Sequence, residues 1–201
     1  NLRVTSQGFK LREASKAEVD RHFEAMRPAS SLEPARDLME TAIRPLGEVK
    51  FESSSSYGVK SANLATLHTL EFPDGTVPDG FAIPFHFYHE FMKHNGLYAW
   101  VDSLLGTPAV LNDRDVLELK LKQLRKLITS GDAPDWMIAE LGKVQGRFPK
   151  GTSIRCRSST NNEDLPGFSG AGLYDSFTHK PDEGHLAKSV KQVFASLWNF
   201  R

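Results

Sequence analysis

The residues with the most to offer chemically lie between 154 and 176, read as IRCRSSTNNEDLPGFSGAGLYDS. Arg155 and Arg157 flank Cys156, and a guanidinium presents a planar fork that matches phosphate oxygens. Hydroxyls, amides and carboxylates follow from Ser158 to Asp164, and then Pro166, Gly167, Gly170 and Gly172. Glycine has no Cβ, so its backbone N–H groups can approach an anion closely. The stretch describes either a polyphosphate cradle or a surface loop of turn residues held by an arginine–glutamate pair. It carries neither a Walker A pattern nor a GxGxxG after a strand. Lys60 is the second candidate. It falls in the first turn of an expected helix, where a cation opposes the macrodipole. Such a lysine is either exposed and idle or kept for function.

These groups need elements to hold them. Thr152–Cys156 reads as a strand, with the two arginines expected on opposite faces and Arg157 turned toward phosphate. Further strands are expected near 79–83 and 173–178, together forming a small mixed sheet. Helices are expected near 58–70, 85–95, 113–130 and 135–146, the last two as an antiparallel hairpin over that sheet. Leu117, Leu121, Leu124 and Ile128 make one stripe of the third, which Asp113 caps and Gly131 ends. A last helix starts at Pro181-Asp182 and carries Leu186, Val190, Val193, Phe194 and Leu197. The helix rich in aromatics near 85–95 also carries His86 and His89 at i and i+3. No third ligand shows metal spacing, and aromatic helices usually serve a core, so no metal site is expected within the chain.

Residues 1–46 read as a connector or the end of a preceding domain. Two short strands surround Gln7-Gly8, and Ser15-Lys16-Ala17-Glu18 is a capping box before Val19, Phe23 and Met26. Pro28 stops that helix, Ala29–Glu33 is loose, and a short helix is expected from Pro34 to Ile43. None of this suggests chemistry.

The 201 residues suffice for one sizeable core. Lys+Arg and Asp+Glu are equal at 25 each, which argues against a nucleic-acid binder. A single cysteine excludes an intrachain disulfide and indicates a reducing, cytoplasmic setting. No apolar run is long enough to cross a membrane. The first residue is Asn1, and Arg201 falls inside an amphipathic pattern without a stop signal. A fragment of a longer protein is therefore expected.

The run RSSTNNEDLPGFSGAGLYDSF closely resembles the RSS-x-x-x-EDLP-x-x-S-x-AG segment of the phosphoenolpyruvate synthase and pyruvate phosphate dikinase family. YGVKSANLATLHTLEFPDGTVPDGFAI, at 57–83, is similar to the family's GGK-x-A-NL-x-x-L…VP-x-GF opening, and KQVFASLWNFR, at 191–201, to its following helix. The three segments occur in family order over residues 47–201. The resemblance implies an α+β fold, the N-terminal part of an ATP-grasp nucleotide domain that is cut short at its C-terminus. It implies ATP as ligand, with Lys60 and Arg157 at the phosphates, Gly172 presenting its backbone, and the Ser176 hydroxyl standing where the family has threonine. Val59 departs from the family pattern, which has a second glycine there. Glu163 and Asp164 match the motif's acidic pair and are read as structural acceptors. The implied activity belongs to a full-length parent: phosphoryl transfer from ATP, with Mg2+ held by carboxylates outside this chain. The phosphoryl group would pass through a histidine on a swivelling domain of the same parent to pyruvate. A dikinase with a glucan or antibiotic acceptor and a non-catalytic nucleotide module remain as alternatives. By itself the chain is expected to be inactive.

Overall fold

Asp113 starts the longest helix because its carboxylate accepts the N–H groups of Asp115 and Val116, both at 3.1 Å. Residues spaced at i, i+3 and i+4 then put Leu124 and Ile128 fully out of solvent. The same logic builds most of the chain, a computed structural model of which describes residues 1–26, 34–162, 164–165, 168–170 and 172–200. Of Met26 and residues 164, 165, 168 and 169 only the backbone is described. Pro28, Ala29–Glu33, Glu163, Pro166 and Gly167, all singled out above, lie outside the described residues.

Two compact units are present, Asn1–Glu33 and Pro34–Arg201. The first contains the antiparallel pair β1 (Leu2–Thr5) and β2 (Gly8–Leu11), then helix α1 (Lys16–Met26). Its capping box is formed: the Ser15 hydroxyl accepts from the Glu18 N–H, and the Glu18 carboxylate accepts from the Ser15 N–H.

The second unit runs β3 (Arg44–Pro45), α2 (Ser54–Tyr57), α3 (Val59–His68), β4 (Phe81–Ala82), α4 (Phe85–His94), α5 (Leu97–Leu105), α6 (Pro108–Leu111), α7 (Arg114–Ser130) and α8 (Asp135–Gln145). It continues with β5 (Ile154–Cys156), β6 (Asp164–Leu165), β7 (Phe168–Ser169), β8 (Phe177–His179) and α9 (Ala187–Ser196). Helices α4, α5, α7, α8 and α9 share one core built on Phe87, Phe91, Leu124, Ile128, Leu141 and Phe194. A smaller core of Leu46, Val49, Tyr57, Ala65 and Ala82 lies around α3. Among the described residues no helix is long and apolar enough to cross a membrane.

The α+β character is as expected, but the sheet is not. Among the described residues every strand pair is antiparallel and two-stranded: β3 with β4, β5 with β8, β6 with β7. The strands near 79–83 and 154–156 therefore belong to different pairs and form no single mixed sheet. Strands of two or three residues offer too few ladder positions to recruit further neighbours. Helix α7 lies chiefly against α9 rather than making a hairpin with α8. The Arg125 guanidinium donates to the Trp198 carbonyl, and the Lys191 ammonium to the Gly131 carbonyl, across that contact. The last helix begins at Ala187, later than Pro181-Asp182.

Residues 34–43 are not helical. Their backbone groups find side-chain partners instead, which competes with helix formation. The Asp37 carboxylate accepts the Met39 N–H at 2.8 Å, and Glu40 accepts that of Ala42 at 3.2 Å. The Asp37 N–H donates to the Ser55 carbonyl, and the Tyr57 hydroxyl to the Ala42 carbonyl.

The two arginines do not take opposite faces of β5. Side chains two apart on a strand share a face. Ile154 and Cys156 pack on the main core, while Arg155 and Arg157 are exposed.

Candidate functional site

Helix α3 begins on Gly58, whose φ of +83° is a left-handed value that side chains rarely adopt. Space is the second reason for glycine. A Cβ at this position would lie 2.4 Å from the backbone carbonyl group of Ser159. The 158–160 loop thus docks directly on the first turn of α3, across 98 residues of chain. The Val59 N–H donates to the Thr160 carbonyl at 2.9 Å. The Ser61 N–H and the Ser61 hydroxyl both donate to Ser159 Oγ, at 3.0 and 3.1 Å. Lys60 Nζ donates to the buried Ser158 Oγ at 3.4 Å. The loop in effect caps the helix from outside. It engages first-turn donors that would otherwise be unpaired.

That arrangement changes how the site could hold an anion. With the Val59 and Ser61 amides engaged, the helix terminus is not the recognition element. Arg157 heads the loop and is exposed. Strand pairing runs Ile154↔His179, Arg155↔Thr178, Cys156↔Phe177; Arg157 directly follows one paired strand and Ser176 directly precedes the other. The two arginines differ in engagement rather than in face. Arg155 donates to Thr178 Oγ1 at 2.8 Å across the pair. Cys156 is no nucleophile at neutral pH, because burial pushes its thiol up to about 11.

The loop continues into two more anchors. The Asn161 amide donates to the Ala35 carbonyl at 2.7 Å, and Asn162 Oδ1 accepts the Tyr174 hydroxyl at 3.0 Å. Tyr174 sits between Gly172 and Ser176, so that return segment is tied to the loop at its middle. Ser176 is half-buried. Gly172 is exposed, has φ +76°, and has no atom within 4 Å of a Cβ position. It is needed for its own backbone conformation and is not packed against the loop. The structure therefore joins Lys60 to the loop that follows Arg157, puts Ser176 and Arg157 at the same end of the β5–β8 pair, and leaves Gly172 exposed. Of the acidic pair, Glu163 lies outside the described residues and Asp164 is described only as backbone in β6.

Sequence reasoning passed over Gly58, Ser158, Ser159 and Thr160 as individual residues. A glycine directly before a helix and three hydroxyls directly after an arginine were the available signals. Thr160 Oγ1 is the one buried side-chain polar atom without a hydrogen-bond partner among the described residues. Two histidines of α4 have neighbours of their own: His86 lies against Trp136, and His89 Nδ1 is 2.9 Å from the Tyr98 hydroxyl. Among the described residues no three His, Cys, Asp or Glu side chains gather as a metal site would need.

Residues 54–201 match the family model described as pyruvate phosphate dikinase, AMP/ATP-binding domain. The chain is 31% identical over 163 residues to a probable phosphoenolpyruvate synthase of Staphylothermus marinus, covering 78% of this chain and 19% of that protein. It is 32% identical over 152 residues to a phosphoenolpyruvate synthase of Neisseria meningitidis serogroup B, covering 72% and 19%. A phosphoenolpyruvate synthase of Deinococcus radiodurans is 28% identical over 160 residues, covering 79% and 20%. The chain spans about a fifth of the length of these curated relatives. Residues 54–201 include the first turn of α3, the loop docked on it and the return segment, and with most of its sequence inside the matched model the chain belongs to the pyruvate phosphate dikinase AMP/ATP-binding domain family.

Proposed function

We infer that residues 47–201 form the N-terminal part of an ATP-grasp nucleotide domain, and that ATP is its ligand. The observation that carries this reading is the docking of the 158–160 loop on α3, which puts the Lys60 ammonium beside the residue that follows Arg157. Two permanent or near-permanent cations and a run of hydroxyls suit a polyphosphate. Lys60 acts there as a point charge and Arg157 as a two-pronged donor. Thr160 Oγ1, buried and without a hydrogen-bond partner among the described residues, supports the same fit, since such a hydroxyl is costly unless something else satisfies it. Ser176 and the Gly172 backbone are read as further nucleotide contacts.

ATP supplies the phosphoryl group when bound. The chain's own residues contribute binding, orientation and charge neutralisation, which dominate phosphoryl-transfer catalysis. Mg2+ takes carboxylate oxygens, and its ligands are assigned to other parts of a longer, cytoplasmic parent. In that parent the phosphoryl group would reach pyruvate through a histidine on a swivelling domain, with phosphoenolpyruvate as product. The relatives' names and the family's ATP-binding description support this assignment. The isolated chain should bind nucleotide without transferring its phosphate. Calorimetric titration of the chain with ATP tests the reading. Binding that is weakened but still measurable in Lys60→Ala, with unchanged thermal stability, supports it; a wild-type chain that takes up no ATP sinks it.

A further inference from the structure

The contact between α3 and the 158–160 loop is more elaborate than capping requires. The Thr160 carbonyl alone would engage one first-turn amide. Ser159 adds a hydroxyl that receives two donors from one residue, the amide and the hydroxyl of Ser61. Ser61 is itself buried and directly follows Lys60. Gly58, on the other side of Lys60, is the residue whose missing Cβ lets Ser159 come this close. Lys60 is thus bracketed by the two positions that hold the loop, and its ammonium ends at the neighbouring loop residue, Ser158, 3.4 Å away.

We propose that Ser159 is a positioning residue for Lys60: by receiving both Ser61 donors on its hydroxyl, it locks the first turn of α3 to the loop and holds the Lys60 ammonium where the nucleotide's phosphates are to lie. This rests on the ATP reading above and adds to it how the charge is kept in place. A lysine side chain has four rotatable bonds and a large rotamer entropy. Its ammonium is useful at a phosphate only if the backbone beneath it is fixed. Ser159 acts on that backbone and need not touch the ligand. The chemistry expected to depend on it is therefore recognition of phosphate and not of the adenosine moiety.

The test measures ATP and adenosine affinity for the wild-type chain, Ser159→Ala, Lys60→Ala and the double variant. Ser159→Ala should weaken ATP about tenfold and leave adenosine unchanged. In the Lys60→Ala background, Ser159→Ala should cost ATP affinity nothing further, since a residue that acts through Lys60 has nothing left to position. Equal weakening of ATP and adenosine, or the same loss of ATP with and without Lys60, would make Ser159 merely structural and overturn the proposal. So would unchanged ATP affinity in Ser159→Ala. A wild-type chain that binds adenosine but not ATP, or neither, overturns the nucleotide-phosphate reading and this proposal with it. Where Ser159→Ala fails to fold, Ser61→Ala replaces it. That variant keeps the amide donor and loses only the hydroxyl, so the same ATP-only loss should appear at smaller size, and its absence counts against the proposal.

Discussion

The main core and the 158–162 loop are held together by opposite means. In the core, Phe87, Phe91, Leu124 and Ile128 are fully buried in one apolar cluster, so no single contact is indispensable to specificity. Along the loop, polar contacts reach three separate parts of the chain: Ser158 and Ser159 bond Lys60 and Ser61 in the first turn of α3, Asn161 bonds Ala35, and Asn162 bonds Tyr174. Removing core atoms should cost stability and spare any ligand. Removing loop atoms should do the reverse.

The largest expected effect tests the first half. Phe91→Ala empties a site between α4 and α9, where Phe91 lies against Phe194 with ring centroids 5.8 Å apart. It should lower unfolding free energy by about 3–5 kcal/mol in urea titrations, while ATP affinity of the molecules that remain folded is unchanged. A loss of affinity larger than the loss of folded protein would mean that core and loop are not separable.

The next test contrasts the two arginines in a full-length parent. Arg155 is engaged with Thr178 and Arg157 heads the loop. Arg157→Lys should lower turnover by roughly 100- to 1000-fold, as removal of a comparable preorganised donor does, with an unchanged melting temperature. Arg155→Lys should leave turnover alone and lower the melting temperature slightly, because an exposed cross-strand pair is worth only about 0.2–1 kcal/mol. Turnover that falls with Arg155 and not with Arg157 would move the proposed phosphate contact two residues back, onto β5.

The same contrast governs what could be read in advance. Helix α7 was legible because its cap and stripe are local: Asp113 and the donors it receives are two and three residues apart. Helix α5 was not read, although Leu97, Val101 and Leu104 carry its buried face and Gly96, at φ +64°, separates it from α4. The 34–43 segment looked helical by its Leu38, Met39 and Ile43 spacing, and local hydrogen bonds from Asp37 and Glu40 overrode it. Lys60 could be noticed as out of place on its helix. Its neighbour Ser158 could not be identified, since nothing within a short window pairs positions 98 apart. The arginine faces were within reach of the strand's period of two, and the opposite-face expectation fails on that period alone.

A smaller effect probes the loop's docking through its glycine. Gly58→Ala adds a Cβ that meets the Ser159 backbone at 2.4 Å, in a left-handed conformation. The conformation alone costs about 1–3 kcal/mol, and relieving the clash requires the loop to move. Melting temperature should fall, and ATP affinity should fall further than stability explains. The control is Gly75→Ala, at φ +79° with open space around it, which should show the strain without the loss of affinity. Equal ATP affinity in the two variants would mean that loop docking does not matter to the ligand.

The smallest expected effect separates the two regions by acid. Before α9, Glu183 accepts the Lys180 N–H at 2.7 Å and the Lys188 ammonium at 2.8 Å, which hold its carboxyl down at about 2. Near the loop, Asp37 accepts the Met39 N–H and the Ser56 hydroxyl, and its carboxyl is also held below its ordinary value. For both, the folded state favours the ionised form, so the unfolded chain binds protons first as pH falls. Their stabilisation is complete above the ordinary carboxyl values, 4.5 for Glu183 and 3.8 for Asp37, and is lost as pH drops through the folded values. Glu183→Gln should therefore melt below wild type at neutral pH, with the gap closing between pH 4.5 and about 2. Asp37→Asn should show the same sign with closure beginning lower, from about 3.8. Because Asp37 secures the 34–37 strand of chain that Asn161 also holds, its variant should weaken ATP slightly at neutral pH, whereas Glu183→Gln should not. Melting curves and ATP titrations on the two variants side by side decide it. A gap that widens with acid would reverse the sign of the carboxyl shifts, and an ATP loss confined to Glu183→Gln would place the ligand's support on the helical side of the domain.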